Sequence, residues 1–321
     1  MSNSKSFSRR NFIAGAGLLV AGATLRVKGA GFSGWDDEPI IDIHQHTDYA
    51  GRTNAELFAH QKTMGVTNTI LLPAGHDINY GSTNYGFSNG LQVHATSNEA
   101  CYKIAQERPK EYMFGANEVP DVPNAIKEIE KYLKLGAPII GESKFNVECD
   151  SPEMQDIYQL AQQYKVPVLM HFQYKIYNRG FERMYTMLEK YPKVNFIAHA
   201  QTWWAHIDKN YPNQNILYPT GKVTPGGLTD QLLSKYSNIW GDVSGGSGLR
   251  AMTRDEDFYK DFMTRHQDRL LYGSDCDDKV GTGKACTGWQ AIQQIKKLAA
   301  SKEIERKILY HNAKKLMRLD V

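Results

Sequence analysis

Cysteine is scarce in this chain of 321 residues: Cys101, Cys149, Cys276 and Cys286 are the whole set. No two of them make a Cys-x-x-Cys pair, which argues against a structural zinc knot. Charge of one sign is lacking too. The formal net charge of +3 gives no ground for a nucleic-acid partner or a charged membrane surface. No strand-like segment runs into a Gly-x-Gly-x-x-Gly turn, which counts against a dinucleotide-binding fold. Internal repeats, low-complexity linkers and any sign of a second domain are also missing. What remains is 41% hydrophobic and 23% charged, the balance of a soluble globular protein. The length suits one large α/β barrel or two ordinary domains.

The N-terminal segment "SRRNFIAGAGLLVAGATL" stands apart from the rest. Its apolar part is short and rich in Gly and Ala, so no stable membrane anchor is expected. Arg9-Arg10 followed by Phe12 resembles a twin-arginine export signal. Residues 1–31 are therefore expected to be an export signal read by the twin-arginine machinery, with the protein periplasmic. Cleavage would follow Ala23 or Ala30. The folded domain is expected over 36–321.

Beyond that segment, short apolar runs alternate with longer amphipathic ones. Eight runs have strand character: "IIDIHQH", "NTILLPA", "YMFGANE", "PIIGESK", "VPVLMHF", "NFIAHAQ", "NIWGDVS" and "RLLYGSD". Between them lie helix-period patterns. In "SPEMQDIYQLAQQYK" the residues Met154, Ile157, Leu160, Ala161 and Tyr164 recur at three- and four-residue steps, behind a Ser151-Pro152 start signal. Eight strand–helix units predict a (β/α)8 barrel, the TIM-barrel fold.

The carboxyl ends of barrel strands line the active site. His44 and His46 end the first run and, two apart on a strand, share a face. Glu142 lies on the fourth, His171 ends the fifth, His199 the sixth and Asp275 the eighth. Of ten histidines, four sit behind apolar runs; His60, His76, His94, His206, His266 and His311 fall elsewhere. Imidazoles and carboxylates converging on one barrel end are ligands for zinc, manganese, iron or nickel. For any single member, an ordinary hydrogen-bonded core histidine is the competing reading; it fits the whole set far less well.

The runs "DIHQH", "VLMH", "FIAH" and "LLYGSD", with the closing "ILYHNAKKLMRL", resemble the amidohydrolase superfamily, and within it the amidohydrolase-related branch that includes carboxymuconate-semialdehyde decarboxylases. The resemblance spans roughly residue 40 to the C-terminus. It implies a metal-dependent enzyme with one or two divalent ions, zinc foremost, held by His44, His46, Glu142, His171, His199 and Asp275. It departs from the branch at the fourth strand: "IIGESKF" is similar to the Gly-Glu strand of TatD-type nucleases, whose Glu bridges two metals. Lys144 shares a face with Glu142, and either is a candidate for the functional residue.

A bound divalent ion lowers the pKa of its water from about 15.7 toward about 7. Asp275 is the expected base, and His199, where it is not a ligand, an oxyanion stabiliser or acid/base. Hydrolysis of a small-molecule ester, lactone or amide is the first expectation. Non-oxidative decarboxylation is second and phosphodiester hydrolysis third; an exported metal- or ligand-binding barrel without turnover is a further reading. Lys144, Trp203 and Arg250 are the substrate-binding candidates, with His76, Asn117, Tyr174, Lys175 and Trp204 as further specificity residues. The long segment after the sixth run is expected to cover the site. Cys276 and Cys286, in one Gly-rich segment of an exported protein, are the expected disulfide. The oligomeric state is open.

Overall fold

Each of the eight apolar runs forms a strand. In the computed structural model, which describes residues 38–75, 96–211 and 213–321, they are β1 Ile41–Gln45, β2 Asn68–Leu71, β3 Tyr112–Phe114, β4 Ile140–Ser143, β5 Val168–His171, β6 Phe196–His199, β7 Ile239–Asp242 and β8 Leu270–Leu271. All pairings are parallel, in the orders β1-β2-β3 and β4-β5-β6-β7-β8. The two sheets join at both seams. Ala116 bridges to Ile140 on one side; on the other, Ile43 N donates to Tyr272 O at 3.2 Å and Asp275 N to His44 O at 2.8 Å. The result is a closed (β/α)8 barrel. Residues Glu38–Val321 form one compact unit. The export segment 1–31 and His76 lie outside the described residues.

The helices are α1 Asn54–Met64, α2 Asn98–Glu107, α3 Ala125–Lys134, α4 Pro152–Tyr164, α5 Met184–Lys190, α6 Gln201–Ala205, α7 Leu228–Lys235, α8 Gly245–Arg254, α9 Glu256–His266, α10 Thr287–Leu298, α11 Lys302–Arg306 and α12 Asn312–Met317. Their starts follow local chemistry. Ser151 Oγ accepts from Met154 N ahead of Pro152 at the first position of α4. Thr53 and Glu56 form a reciprocal capping box on α1. None of the described helices is long and apolar enough to cross a membrane.

Two apolar clusters divide the core. The larger fills the space between strands and outer helices. The smaller contains Ile41, Ile43, Ile70, Leu169, Ile197 and Leu271 together with Ala313, Leu316 and Met317 of α12. The alternation of a strand puts Leu169 on the face of His171 and Ile197 on that of His199. One end of the barrel interior is thus filled with aliphatic side chains, and the histidines emerge at the other.

Candidate metal centre

Four strand ends and one loop deliver the polar cluster. His44 and His46 come from β1 and its end, at the place where the β1–β2 register shifts between Asp42 and Gln45. His171 and His199 stand opposite each other in the β5–β6 register. Glu142 follows Gly141, whose φ of +139° and a Cβ position 2.8 Å from Leu169 O admit no side chain. Two non-glycine residues with positive φ adjoin the site: Asp275 at 41° and, directly after His199, Ala200 at 82°. Conformations of this kind cost about 1–3 kcal/mol each and are held by the surrounding structure.

The six sequence-predicted ligands converge. His44 Nε2 and His46 Nε2 lie 3.2 Å apart. Glu142 Oε2 is 3.5 Å from the first and 3.3 Å from the second; Asp275 Oδ1 is 3.8 and 3.7 Å from them. The other oxygen of Glu142 faces elsewhere, with Oε1 2.7 Å from His171 Nδ1 and 3.9 Å from His199 Nε2. Asp275 Oδ2 is 3.5 Å from His199 Nε2. The donor atoms therefore form two groups, His44/His46/Asp275 and Glu142/His171/His199, and each of Glu142's two oxygens faces one of them.

The hydrogen bonds behind the rings fit this set to cations. His46 Nδ1–H donates to Leu72 O at 2.9 Å and His44 Nδ1–H to Asp242 Oδ2 at 2.7 Å. The Ser244 hydroxyl donates to Asp242 at 2.7 Å and accepts from His199 Nδ1–H at 2.9 Å. Gln173 Oε1 accepts from His171 Nε2–H at 3.2 Å. With one nitrogen of each ring held by these bonds, the other faces the centre, where it donates to a carboxylate while protonated and presents a lone pair to a cation once the proton leaves. Lone pairs packed against carboxylate oxygens at these distances are what a divalent ion organises; nitrogen and oxygen donors of this kind suit zinc and its first-row neighbours.

Electrostatics follow from crowding and burial. Burial pushes the Glu142 carboxyl up, but the charge of His44 and hydrogen bonds from His171, His44 and His46 hold it well below the usual range. Asp275 also ends below its ordinary value: burial raises it, and His44 and His199 outweigh that. Burial lowers His44, yet Asp275, Glu142 and Asp242 bring it well above the usual imidazole value. For His171 burial wins over its bond to Glu142, with the Lys144 charge adding to it, and the value falls to about 4.

Asp242, Ser244 and Tyr49 were not singled out from the sequence. Asp242 ends "NIWGD" at the same strand-end register as the ligands, and that was the available signal. Tyr49 hydrogen-bonds Asp275, whose charge, with burial, raises the Tyr49 hydroxyl far above its ordinary value.

A cavity of about 250 Å3 opens onto the centre, reaching Lys144, His171, His199 and Asp275 between Tyr49 and Tyr218. Tyr218 comes from the long segment after β6, in accord with the expected cover. Lys144 lines this cavity, whereas two other binding candidates do not and are corrected. Trp203 is fully buried against Phe181 and Trp204, because α6 turns it into the core. Arg250, in the second turn of α8, is exposed and lines an adjoining crevice that shares Gln201, Tyr218 and Ser247 with the cavity but does not reach the centre. Trp204 Nε1 donates to Asp242 O at 2.9 Å. Asn117 Nδ2 donates to Glu142 O at 2.8 Å and supports that residue's backbone. Tyr174 and Lys175 line a neighbouring cavity of about 300 Å3. Cys276 and Cys286 are thiols with sulfurs 3.6 Å apart, in contact but not bonded as expected from sequence.

Comparison with known proteins gives the family and agrees with the fold. The amidohydrolase family model matches residues 41–319. An uncharacterized TIM-barrel protein from Bordetella bronchiseptica superposes with a TM-score of 0.60 at 13% identity, over 88% of this chain and 99% of that one. A probable 2-pyrone-4,6-dicarboxylic acid hydrolase from Acinetobacter baumannii, solved with citric acid bound, gives 0.55 at 14% identity over 87% and 99%. A 2,6-dihydroxybenzoate decarboxylase from Rhizobium gives 0.53 at 12% identity over 88% and 100%. At such identities the likeness is one of fold. No curated protein matched the sequence.

Proposed function

The chain belongs to the amidohydrolase family of metal-dependent enzymes, and on that premise we propose that it hydrolyses a small-molecule ester, lactone or amide carrying an anionic group. The observation that carries this reading is Glu142, with one oxygen toward His44 and His46 and the other toward His171 and His199. A carboxylate so placed would bridge two ions, zinc being the proposed metal. Bound there, divalent ions supply Lewis acidity toward a carbonyl and lower the pKa of water. The protein's own groups do the rest. Asp275 has one oxygen toward the histidine pair and the other toward His199, where it is placed to take the proton of the attacking water. Its depressed pKa keeps it ionised at neutral pH. Tyr49 donates to Asp275 and holds its orientation. Lys144, at the cavity wall beside His171, pairs with the substrate's anionic group.

A second reading, non-oxidative decarboxylation, draws on the same lysine. A carboxylate paired with Lys144 beside the ions is also placed to leave as carbon dioxide, and the Rhizobium neighbour of like fold is a decarboxylase. A panel of lactones, aryl esters, amides, carboxylated arenes and phosphodiesters, run with metal-loaded protein, separates the readings. Hydrolysis releases a new acid, whereas decarboxylation evolves carbon dioxide and consumes a proton. Turnover of carbonyl esters, lactones or amides supports the proposal; carbon dioxide as the sole product, or phosphodiester cleavage alone, replaces it.

We also propose that the protein reaches the periplasm through the twin-arginine machinery, on the strength of Arg9-Arg10-Asn11-Phe12. Lys at both arginines is expected to retain a C-terminally tagged protein in the cytoplasm; unchanged export contradicts the assignment.

A further inference from the structure

Behind the wall of the cavity lies a second group of ligand atoms that the reaction does not use. His60 and Met64 sit on the inner face of α1. Cys276 follows Asp275, and Cys286 immediately precedes α10. All four are completely or almost completely buried. Cys286 Sγ is 3.6 Å from Cys276 Sγ, 3.3 Å from His60 Nε2 and 3.5 Å from Met64 Sδ. The imidazole nitrogen and the two sulfurs all lie within 4.8 Å of one another.

The orientation of His60 is set from behind. The Gln61 amide donates to Asp42 Oδ2 and to Thr69 Oγ1, both at 2.8 Å. Its NH2 group is therefore used, and Oε1 is left to accept from His60 Nδ1–H at 3.2 Å. That bond puts the lone pair on Nε2, the nitrogen aimed at the sulfurs. A neighbour that fixes the tautomer of a histidine is the usual support of a metal-ligating imidazole. Cys286 Sγ also accepts from Trp289 N at 3.3 Å, at the N-terminus of α10.

Two edges of this group have the spacing a metal needs. Bonds of about 2.3 Å to sulfur and about 2.0–2.1 Å to nitrogen, arranged tetrahedrally, imply sulfur–sulfur edges of about 3.8 Å and sulfur–nitrogen edges of about 3.5 Å. The observed 3.6 and 3.3 Å are each about 0.2 Å shorter.

We propose that His60, Cys276 and Cys286 bind one soft closed-shell cation, zinc or copper(I), with Met64 as a neighbouring thioether, at a site separate from the catalytic centre. Thiolate and thioether donors select ions of that kind. The site fastens the loop 276–286 to α1. That loop begins one residue after Asp275 and carries Asp277, and Thr287 follows it; all three line the catalytic cavity. The ion would thus pin one wall of the active site.

Cobalt(II) titration of the reduced, metal-stripped protein tests this. Cobalt bound by histidines and carboxylates gives weak visible bands, whereas thiolate ligation adds an intense near-ultraviolet charge-transfer band. That band is expected to level off, once all sites are filled, at the intensity of one thiolate-bound cobalt per chain. It is expected to vanish in Cys286→Ser, to need at least tenfold more cobalt in His60→Gln, which keeps both thiols, and to persist in Glu142→Gln. Competition by zinc and by copper(I) then identifies the preferred ion. Visible bands without the near-ultraviolet band in the reduced wild-type chain overturn the proposal. So does a Cys276–Cys286 disulfide in the purified protein whose reduction restores no thiolate-bound cobalt.

Discussion

His44 on β1 donates its Nδ1–H to Asp242 on β7 at 2.7 Å, between residues 198 positions apart in the chain. Asp242 also receives the Ser244 hydroxyl, which in turn accepts from His199. One carboxylate thereby sets the tautomer of two of the proposed ligands.

Asp242→Asn keeps the size of the side chain and one acceptor but removes the charge. Metal affinity is expected to fall about 10–100-fold, the usual effect of losing such a partner. Competition with a chelator of known affinity measures it. An unchanged dissociation constant would show that Asp242 does not tune the site.

Lys144 and Arg250 are separated by the structure although both follow strand ends in sequence. Lys144 lines the cavity and Arg250 does not. On an anionic substrate Lys144→Met is expected to raise KM about tenfold or more, the scale of one charge-assisted contact. Arg250→Ala should leave KM within about twofold. The opposite ranking would contradict the proposed binding mode.

Away from the centre, His266 is buried with Nε2 2.6 Å from Asp230 Oδ1. Burial pushes its pKa down, and Asp230 only partly restores it. The unfolded chain, with an ordinary value of about 6.5, then binds the proton more tightly than the folded one. The sign follows: His266 contributes stability above about pH 6.5 that is lost as pH falls toward the lowered folded value. Urea midpoints at pH 7 and pH 5 should drop more for wild type than for His266→Gln. Equal drops would refute this account of His266.

Much of the barrel was legible because its strands are short, apolar and bounded by turn residues, and because ligands at strand ends break that pattern abruptly. All eight strands fall where the runs are. β8 is the shortest: its regular ladder covers Leu270–Leu271, and the chain then meets β1 through single bonds from Ile43 and Asp275. A Cβ at Gly273 would lie 2.7 Å from His44 Cβ, which shows how closely the two segments pass. Asp242 stayed hidden because its role depends on a partner 198 residues away. Trp203 and Arg250 misled for the opposite reason. Closeness in sequence to a site residue does not decide the direction of a helical side chain, and α6 and α8 turn these two away from the cavity.

The central claim is that Glu142 bridges two ions, and elemental analysis decides it most directly. Wild type at position 142 and Glu142→Gln, both carrying Cys286→Ser to remove the thiolate site, are stripped, reloaded with cobalt and counted per chain. The account predicts two ions in wild type and one or fewer in the variant, with activity lost. One ion per chain in both proteins would contradict it.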